Sequence, residues 1–338
     1  MVVELFQKPK GFIESIIMYS KFGEGVNERV FENPQAMALK DESFDLVISE
    51  SIIFQEPQLG FAHHFGCPSM ALFPIGYTSV INHFTGGAVN PAYVPNFLVS
   101  HLNLDNILDR LQNTFVYLFG MLMYQFVYLP NSNALLHKAF PDAPPVQELL
   151  KNVSLTLINN NNALMDPVPL APSVIEVPGI HIKPGKPLPA DLEKWIEESK
   201  DGIVYFSLGT LIKTNLMPKE KQDAIFESFR KLKQRVLVKW TGEGPANAPK
   251  NCRFEKWVPQ QAVLAHSKLK AFVSHGGLLS TQESVYFGAA VVAIPVLGDQ
   301  HMNAATAVAK GFAVKVSLNE LTTELLDAAL HEVISNPK

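Results

Sequence analysis

Between Trp257 and Gln300 the chain gathers side chains suited to a phosphorylated, hydroxyl-rich ligand. His275 is followed by Gly276 and Gly277, then by Ser280 and Glu283, and further on by the pair Asp299 and Gln300. Two glycines allow a tight turn and a close approach of the backbone to a ligand. A helix starting there would offer unpaired amides and a dipole to a diphosphate. Ser280 would sit in its first turn as a hydroxyl donor. Glu283, three residues on, would share that face. A carboxylate so close to phosphate is a poor phosphate ligand and a good bidentate acceptor for ribose hydroxyls. Asp299 and Gln300, at the next turn of the same kind, could grip sugar hydroxyls. Trp257, ahead of Val258, Pro259 and Gln260, is a candidate platform for a base. Each residue alone has a plain structural role: a packed histidine, a glycine turn, an acid at a helix start, a core tryptophan. Their joint occurrence at successive strand ends favours a site with the layout a nucleotide-sugar needs.

Such a site requires strands and helices in alternation. The second half supplies them. Strands are expected at Gly202–Leu208, Arg235–Trp240, Ala271–Ser274, Val291–Pro295 and Ala313–Val316, from short apolar, β-branched runs. Helices are expected at Pro218–Leu232, Ala262–His266, Leu278–Phe287, Gln300–Lys310 and Leu321–Ile334. This alternation predicts a parallel sheet covered on both faces. Ligands of such sheets bind beyond the carboxyl ends of the strands.

The first half is mixed. Phe44–Ser49 and Ser69–Phe73 read as buried strands, with a helix through Pro57–Phe65 between them. Pro74–Asn96 is rich in Gly, Pro and Asn and reads as a long loop. Leu102–Leu129 reads as one or two helices ending near Pro130. Asp166–Pro189 contains seven prolines. That density blocks helix and central strand, so 166–190 is expected to be an extended linker. The domains are then 1–165 and 191–338.

Composition excludes several classes. The chain has 338 residues, 47% of them hydrophobic and 18% charged, which supports packed cores in two domains. With 28 basic and 32 acidic residues, nothing marks a nucleic-acid surface. Cys67 and Cys252 form neither a disulfide framework nor a metal site. His63 and His64 lack partners at metal-ligand spacing. Met1–Lys10 does not read as a signal peptide. The stretch Thr114–Leu129 is shorter than the roughly 20 residues a span needs, and suits a buried or interfacial helix. Asn152-Val153-Ser154 is a glycosylation sequon that also arises readily by chance.

The run WVPQ…HGGLLSTQE…DQ resembles the signature of the family 1 UDP-glycosyltransferases, in particular animal and insect members. Phe206–Thr210 (FSLGT) resembles the first strand and turn of the family's donor domain. Asn90–Asn96 and Ser154–Asn160 resemble acceptor-domain segments. The resemblance covers most of the chain. It implies an α/β fold of GT-B architecture, two Rossmann-like domains facing across a cleft, with the N-terminal one incomplete here. It implies inverting, metal-independent transfer of a hexose, glucose by preference, from a UDP-sugar to a small lipophilic acceptor such as a xenobiotic or steroid. The donor site would comprise Ser207, Gly209, Thr210, Trp257, Val258, Gln260, His275, Gly277, Ser280, Glu283, Asp299 and Gln300. Trp257 would stack on uracil and Gln260 reach the uridine. His275, Ser280 and Thr210 would meet the diphosphate, Glu283 the ribose, and Asp299 with Gln300 the hexose. Plant members carry Trp-Asn where this chain has Leu278 and Leu279, which leaves the sugar open.

In the family a histidine, oriented by a carboxylate after the strand FDLVIS, deprotonates the acceptor. The carboxylate position is Glu50 here, one methylene longer than the usual aspartate; an acid at a helix start is an equal alternative. The base histidine belongs to an earlier strand turn. At roughly 30 residues per unit, about three units are expected before Phe44, so the chain reads as truncated at both ends. The resemblance implies residence in the endoplasmic reticulum. Membrane-surface contact and a homo-oligomer stay open. So does the alternative of a UDP-binding fragment or pseudoenzyme; a UDP-sugar epimerase fits Trp257 and Asp299-Gln300 less well.

Overall fold

The structure, a computed structural model, describes residues 12–50, 54–96, 99, 104–161, 163–165, 168–183, 185–242, 244–245 and 247–336. Met1–Lys10, Pro167 and Pro184 lie outside these. The chain divides into two compact units, with the break between Pro178 and Gly179.

The amino-terminal unit holds a parallel sheet of β1 (Val47–Ser49), β2 (Ser69–Phe73), β3 (Val153–Ile158) and β4 (Val174–Glu176), in that order. One face, with Ala71, Phe73, Ile158 and Val174, packs on Tyr77, Ile81 and Val94. The opposite face puts Ile48, Leu72 and Ile175 in solvent, in register through Met70, Leu155 and Leu157. Parallel sheets ordinarily have both faces covered, so this bare aliphatic face is unusual. A second core forms where Leu59, Tyr124, Tyr128, Leu136 and Phe140 meet.

Three expectations fail here for identifiable reasons. The Gly- and Pro-rich stretch after Pro74 contains a helix, Ser79–Thr85, closed by Gly86 in the left-handed region. Pro130 does not end the helical run. The helix Ile107–Met123 passes through a π-helical turn, Tyr124–Tyr128, into Leu129–Ala139. The π-helical turn immediately before Pro130 shifts the backbone ladder at that point, which lets the helical run pass the proline. The proline-rich stretch is not wholly extended linker: β4 lies inside it, as an edge strand, where nearby prolines are tolerated.

The carboxyl-terminal unit is a six-stranded parallel sheet. Its strands are β5 (Ile203–Ser207), β6 (Arg235–Lys239), β7 (Cys252–Glu255), β8 (Leu269–Ser274), β9 (Val291–Ala293) and β10 (Ala313–Lys315). Their order is β7-β6-β5-β8-β9-β10, the doubly wound order in which the chain reverses direction between its first and fourth strands. β5 is buried at every residue. Apolar clusters lie on both sheet faces, one around Phe206, Phe229 and Val238 and the other around Tyr205, Leu237 and Phe272. The reversal falls between β5 and β8, and it places the carboxyl ends of those strands side by side.

Candidate functional site

The carboxyl ends of β5 and β8 carry Gly209 and His275. Gly209 adopts φ +80°, and a Cβ there would lie 2.7 Å from His275 Cε1 and Nε2. A Cβ on Gly277 would also lie 2.7 Å from His275 Nε2. The imidazole therefore fits between two positions that only glycine can occupy without displacing it. Ser207 is buried, and its Oγ accepts from Gly209 N at 3.3 Å, so it shapes this turn. Burial, reinforced by the nearby Lys239 cation, pushes the His275 pKa down to about 4. The ring is thus neutral at physiological pH and acts as a hydrogen-bond donor or acceptor, not a cation. Its Nδ1 is buried with no protein partner.

Gly276, at φ +79°, turns the chain into the helix Leu278–Phe287. Gly277 is the N-cap residue and has no side chain to cap that end; the Asp299 carboxylate takes the Leu278 amide, which leaves the following first-turn amides for an anion. Left-handed Gly288 ends the helix. Asp299 accepts from Leu278 N and from Asn303 Nδ2, the latter at 2.6 Å. Asn303 Nδ2 also donates to Gly276 O at 3.0 Å. These bonds tie the β8 and β9 turns together. Burial raises the Asp299 pKa, and its hydrogen bonds oppose that only in part. Gln300 is buried, and its Oε1 accepts from Val296 N and Leu297 N at 2.9 and 3.0 Å. Its amide N–H groups are what it can offer a hydroxyl.

Glu283, also buried, is held by two consecutive glutamines. Gln260 Nε2 donates to Glu283 Oε2 at 2.6 Å and to Ser280 Oγ at 2.9 Å. Gln261 Nε2 donates to Glu283 Oε1 at 2.8 Å. Tyr205, in β5, donates its hydroxyl to Gln260 Oε1 at 3.2 Å. Glu283, Ser280 and Gln260 thus form one network beside β5 and β8.

Trp257 is 71% exposed, as a stacking platform must be. Lys239, the last residue of β6, lies with Nζ 4.9 Å from the Trp257 ring centroid and 3.4 Å from Thr210 Oγ1. Val258 is buried in the core, so only its backbone could meet a ligand. Lys239, Gln261, Asn303 and Tyr205 were not singled out from the sequence. Lys239 was legible as a cation at the end of a strand; the others depend on partners far along the chain.

In the amino-terminal unit Glu50 follows β1, is half-buried and bonds Gln55; burial raises its pKa. Glu56, unremarked in the sequence, is fully buried. It accepts from Tyr128 Oη at 2.7 Å, Tyr124 Oη at 3.2 Å and Phe54 N at 3.1 Å. Burial raises its pKa. A small apolar pocket, with a cavity volume of about 60 Å³, lies beside it, lined by Ile16, Phe54, Val80, Val116, Met121 and Tyr124.

Among the described residues one group offers metal ligands, Glu193, Glu197 and His266. His266 Nδ1 accepts from Lys268 N at 3.1 Å, so the hydrogen of the neutral ring sits on Nε2, facing the carboxylates. Lys268 Nζ lies 3.1 Å from Glu197. The cluster is an ion-pair network at the amino end of β8, remote from the strand ends that carry His275.

The sequence matches, over residues 4–338, the family described as "UDP-glucoronosyl and UDP-glucosyl transferase". It is 33% identical to UDP-glucosyltransferase 2 of Dactylopius coccus, over 91% of this chain and 60% of that protein. It is 32% identical to UDP-glucuronosyltransferase 2C1 of Oryctolagus cuniculus, over 88% of this chain and 59% of that protein. The chain thus spans about three fifths of the length of these curated relatives. The structure aligns with the glycotransferase of kitacinnamycin at a TM-score of 0.60 and 18% identity, covering 98% of this chain and 77% of the other. That likeness is one of fold, of the GT-B class, in which each half carries a parallel, Rossmann-like sheet.

Proposed function

This chain belongs to the UDP-glucuronosyl and UDP-glucosyl transferase family, and from that premise we propose that its carboxyl-terminal unit holds a UDP-sugar for transfer of the hexose to a hydroxyl of a small lipophilic acceptor. Glucose is the first choice of sugar. The observation that carries the reading is the convergence of Gly209, His275, Ser280, Glu283 and Gln300 at the reversal point of one sheet, where such folds bind nucleotides.

Each group then has a task. Trp257 stacks on the uracil. Glu283, beside Gln260, accepts from the ribose hydroxyls. The first-turn amides after Leu278, with Ser280, receive the diphosphate. His275 donates as a neutral ring, and Lys239 with Thr210 adds a cation and a hydroxyl on the β6 side. As the acceptor oxygen attacks the anomeric carbon from the face opposite UDP, negative charge grows on the departing diphosphate. Preorganised donors aimed at that charge lower the barrier. The helix amides, His275 and Lys239 supply them from protein alone, and the reading is metal-independent transfer. Asp299 and Gln300 hold the hexose. The apolar pocket beside Glu56 supports an acceptor with little charge, and Glu50 is the carboxylate proposed to orient a base. We propose the endoplasmic reticulum as its compartment; among the described residues no helix is long and apolar enough to cross a membrane.

Calorimetric titration with UDP, run beside transfer from UDP-glucose to a phenol, tests the reading. Micromolar UDP binding with transfer supports an enzyme. Binding without transfer leaves a UDP-binding polypeptide. Absence of UDP binding overturns the proposal.

A further inference from the structure

The strongest feature that the donor-site assignment leaves unexplained is the clasp behind Glu283. Gln261 Nε2 donates to Glu283 Oε1 at 2.8 Å and to the backbone oxygen of His181 at 3.2 Å. Gln261 Oε1 accepts from Lys183 N at 2.9 Å. His181 Nε2 lies 3.3 Å from Leu279 O and 3.5 Å from Glu283 Oε1. Both neighbours are acceptors, so the ring hydrogen belongs on Nε2. Nδ1 is buried without a partner, which is cheaper for a lone pair than for an N–H. Residues 181–183 directly follow the unit boundary at Gly179. They lie about 80 residues before Gln261 in sequence and about 100 before Glu283.

We propose that His181 and Gln261 are positioning residues for Glu283, and that the clasp sets how strongly the site discriminates a ribose from a deoxyribose. The inference rests on the reading of Glu283 as the ribose acceptor. Gln260 fixes Oε2 and Gln261 with His181 fixes Oε1, so the carboxylate cannot swing about its last torsion. A bidentate acceptor is selective only when both oxygens are held where the two hydroxyls arrive. Released from Oε1, the carboxylate rotates toward solvent and water substitutes for the missing hydroxyl. Affinity for the deoxynucleotide then approaches that for the ribonucleotide.

The test is titration of the full chain with UDP and with 2′-deoxy-UDP, for the parent, Gln261→Met, His181→Ala and His181→Gln. Thermal melting is followed in parallel. The parent should favour UDP by about tenfold or more, the worth of one hydrogen bond to a charged group. Gln261→Met and His181→Ala should reduce that ratio by about threefold to tenfold, while His181→Gln, which keeps a donor at the Nε2 position, should restore most of it. A merely structural role would lower the melting temperature, or weaken both ligands equally, and leave the ratio intact; that result overturns the positioning roles and spares Glu283. A parent that does not distinguish the two nucleotides overturns the ribose assignment itself, and the clasp's role with it.

Discussion

Gly209→Ala attacks the cradle where it is tightest. The backbone at Gly209 has φ +80°, which costs a residue with a Cβ about 1–2 kcal/mol. The new Cβ would lie 2.7 Å from two atoms of the His275 ring, well inside the roughly 3.5 Å of carbon contact. The imidazole must leave its rotamer well, at about 1 kcal/mol, or vacate the pocket. Together this amounts to about 2–3 kcal/mol, or roughly 4–12 °C of melting temperature for a unit of this size. UDP loses the aligned His275 donor, so binding should weaken by about 10- to 100-fold. A double-mutant cycle separates the causes. With His275→Ala as background the clash is gone, and Gly209→Ala should cost only the backbone strain, leaving a coupling of about 1 kcal/mol or more. Melting curves and UDP titrations of the four proteins give the answer. Strictly additive effects, or parental UDP affinity in Gly209→Ala, would refute the contact between this glycine and the histidine as the basis of the cradle.

Stability should also depend on pH through His275. Its folded pKa of about 4 lies below the ordinary 6.5, so the unfolded chain takes up the proton first. Stability from this group is complete above pH 6.5 and falls by up to about 3 kcal/mol as pH drops to 4; urea unfolding should show a flatter profile in His275→Leu. Lys239→Met should weaken UDP binding about tenfold and make it less sensitive to salt, whereas Lys239→Arg should keep most of both. Replacing Ile48, Leu72 and Ile175 by threonine should reduce binding of an apolar dye and self-association in light scattering, with little change in melting temperature, because these side chains are exposed. Addition of EDTA should leave UDP affinity unchanged in calorimetry.

The carboxyl-terminal unit was largely legible because its central strands are buried on both faces and must therefore be continuous apolar runs, as IVYF in β5 and AFVS in β8 are. β7, with the sequence CRFE, escaped notice: an edge strand needs no such run. β4 was hidden among prolines for the same reason. In the amino-terminal unit, Pro130 reads as a stop from sequence, yet a π-helical turn just before it carries the helix past. The donor-site residues stood out through spacing near two glycines, which encode a turn locally. Gln261, His181 and Asn303 did not, since their roles are hydrogen bonds to groups from 4 to about 100 residues away that only the folded sheet brings together. Glu56 likewise owes its burial to tyrosines 68 and 72 residues further on.

The site as a whole is tested most directly by a crystal structure of the full chain with UDP. Uracil should lie against the Trp257 ring, the ribose hydroxyls on Glu283, and the diphosphate between His275, Ser280 and the first-turn amides after Leu278. A nucleotide bound elsewhere, or seated there with its ribose turned away from Glu283, would contradict that arrangement.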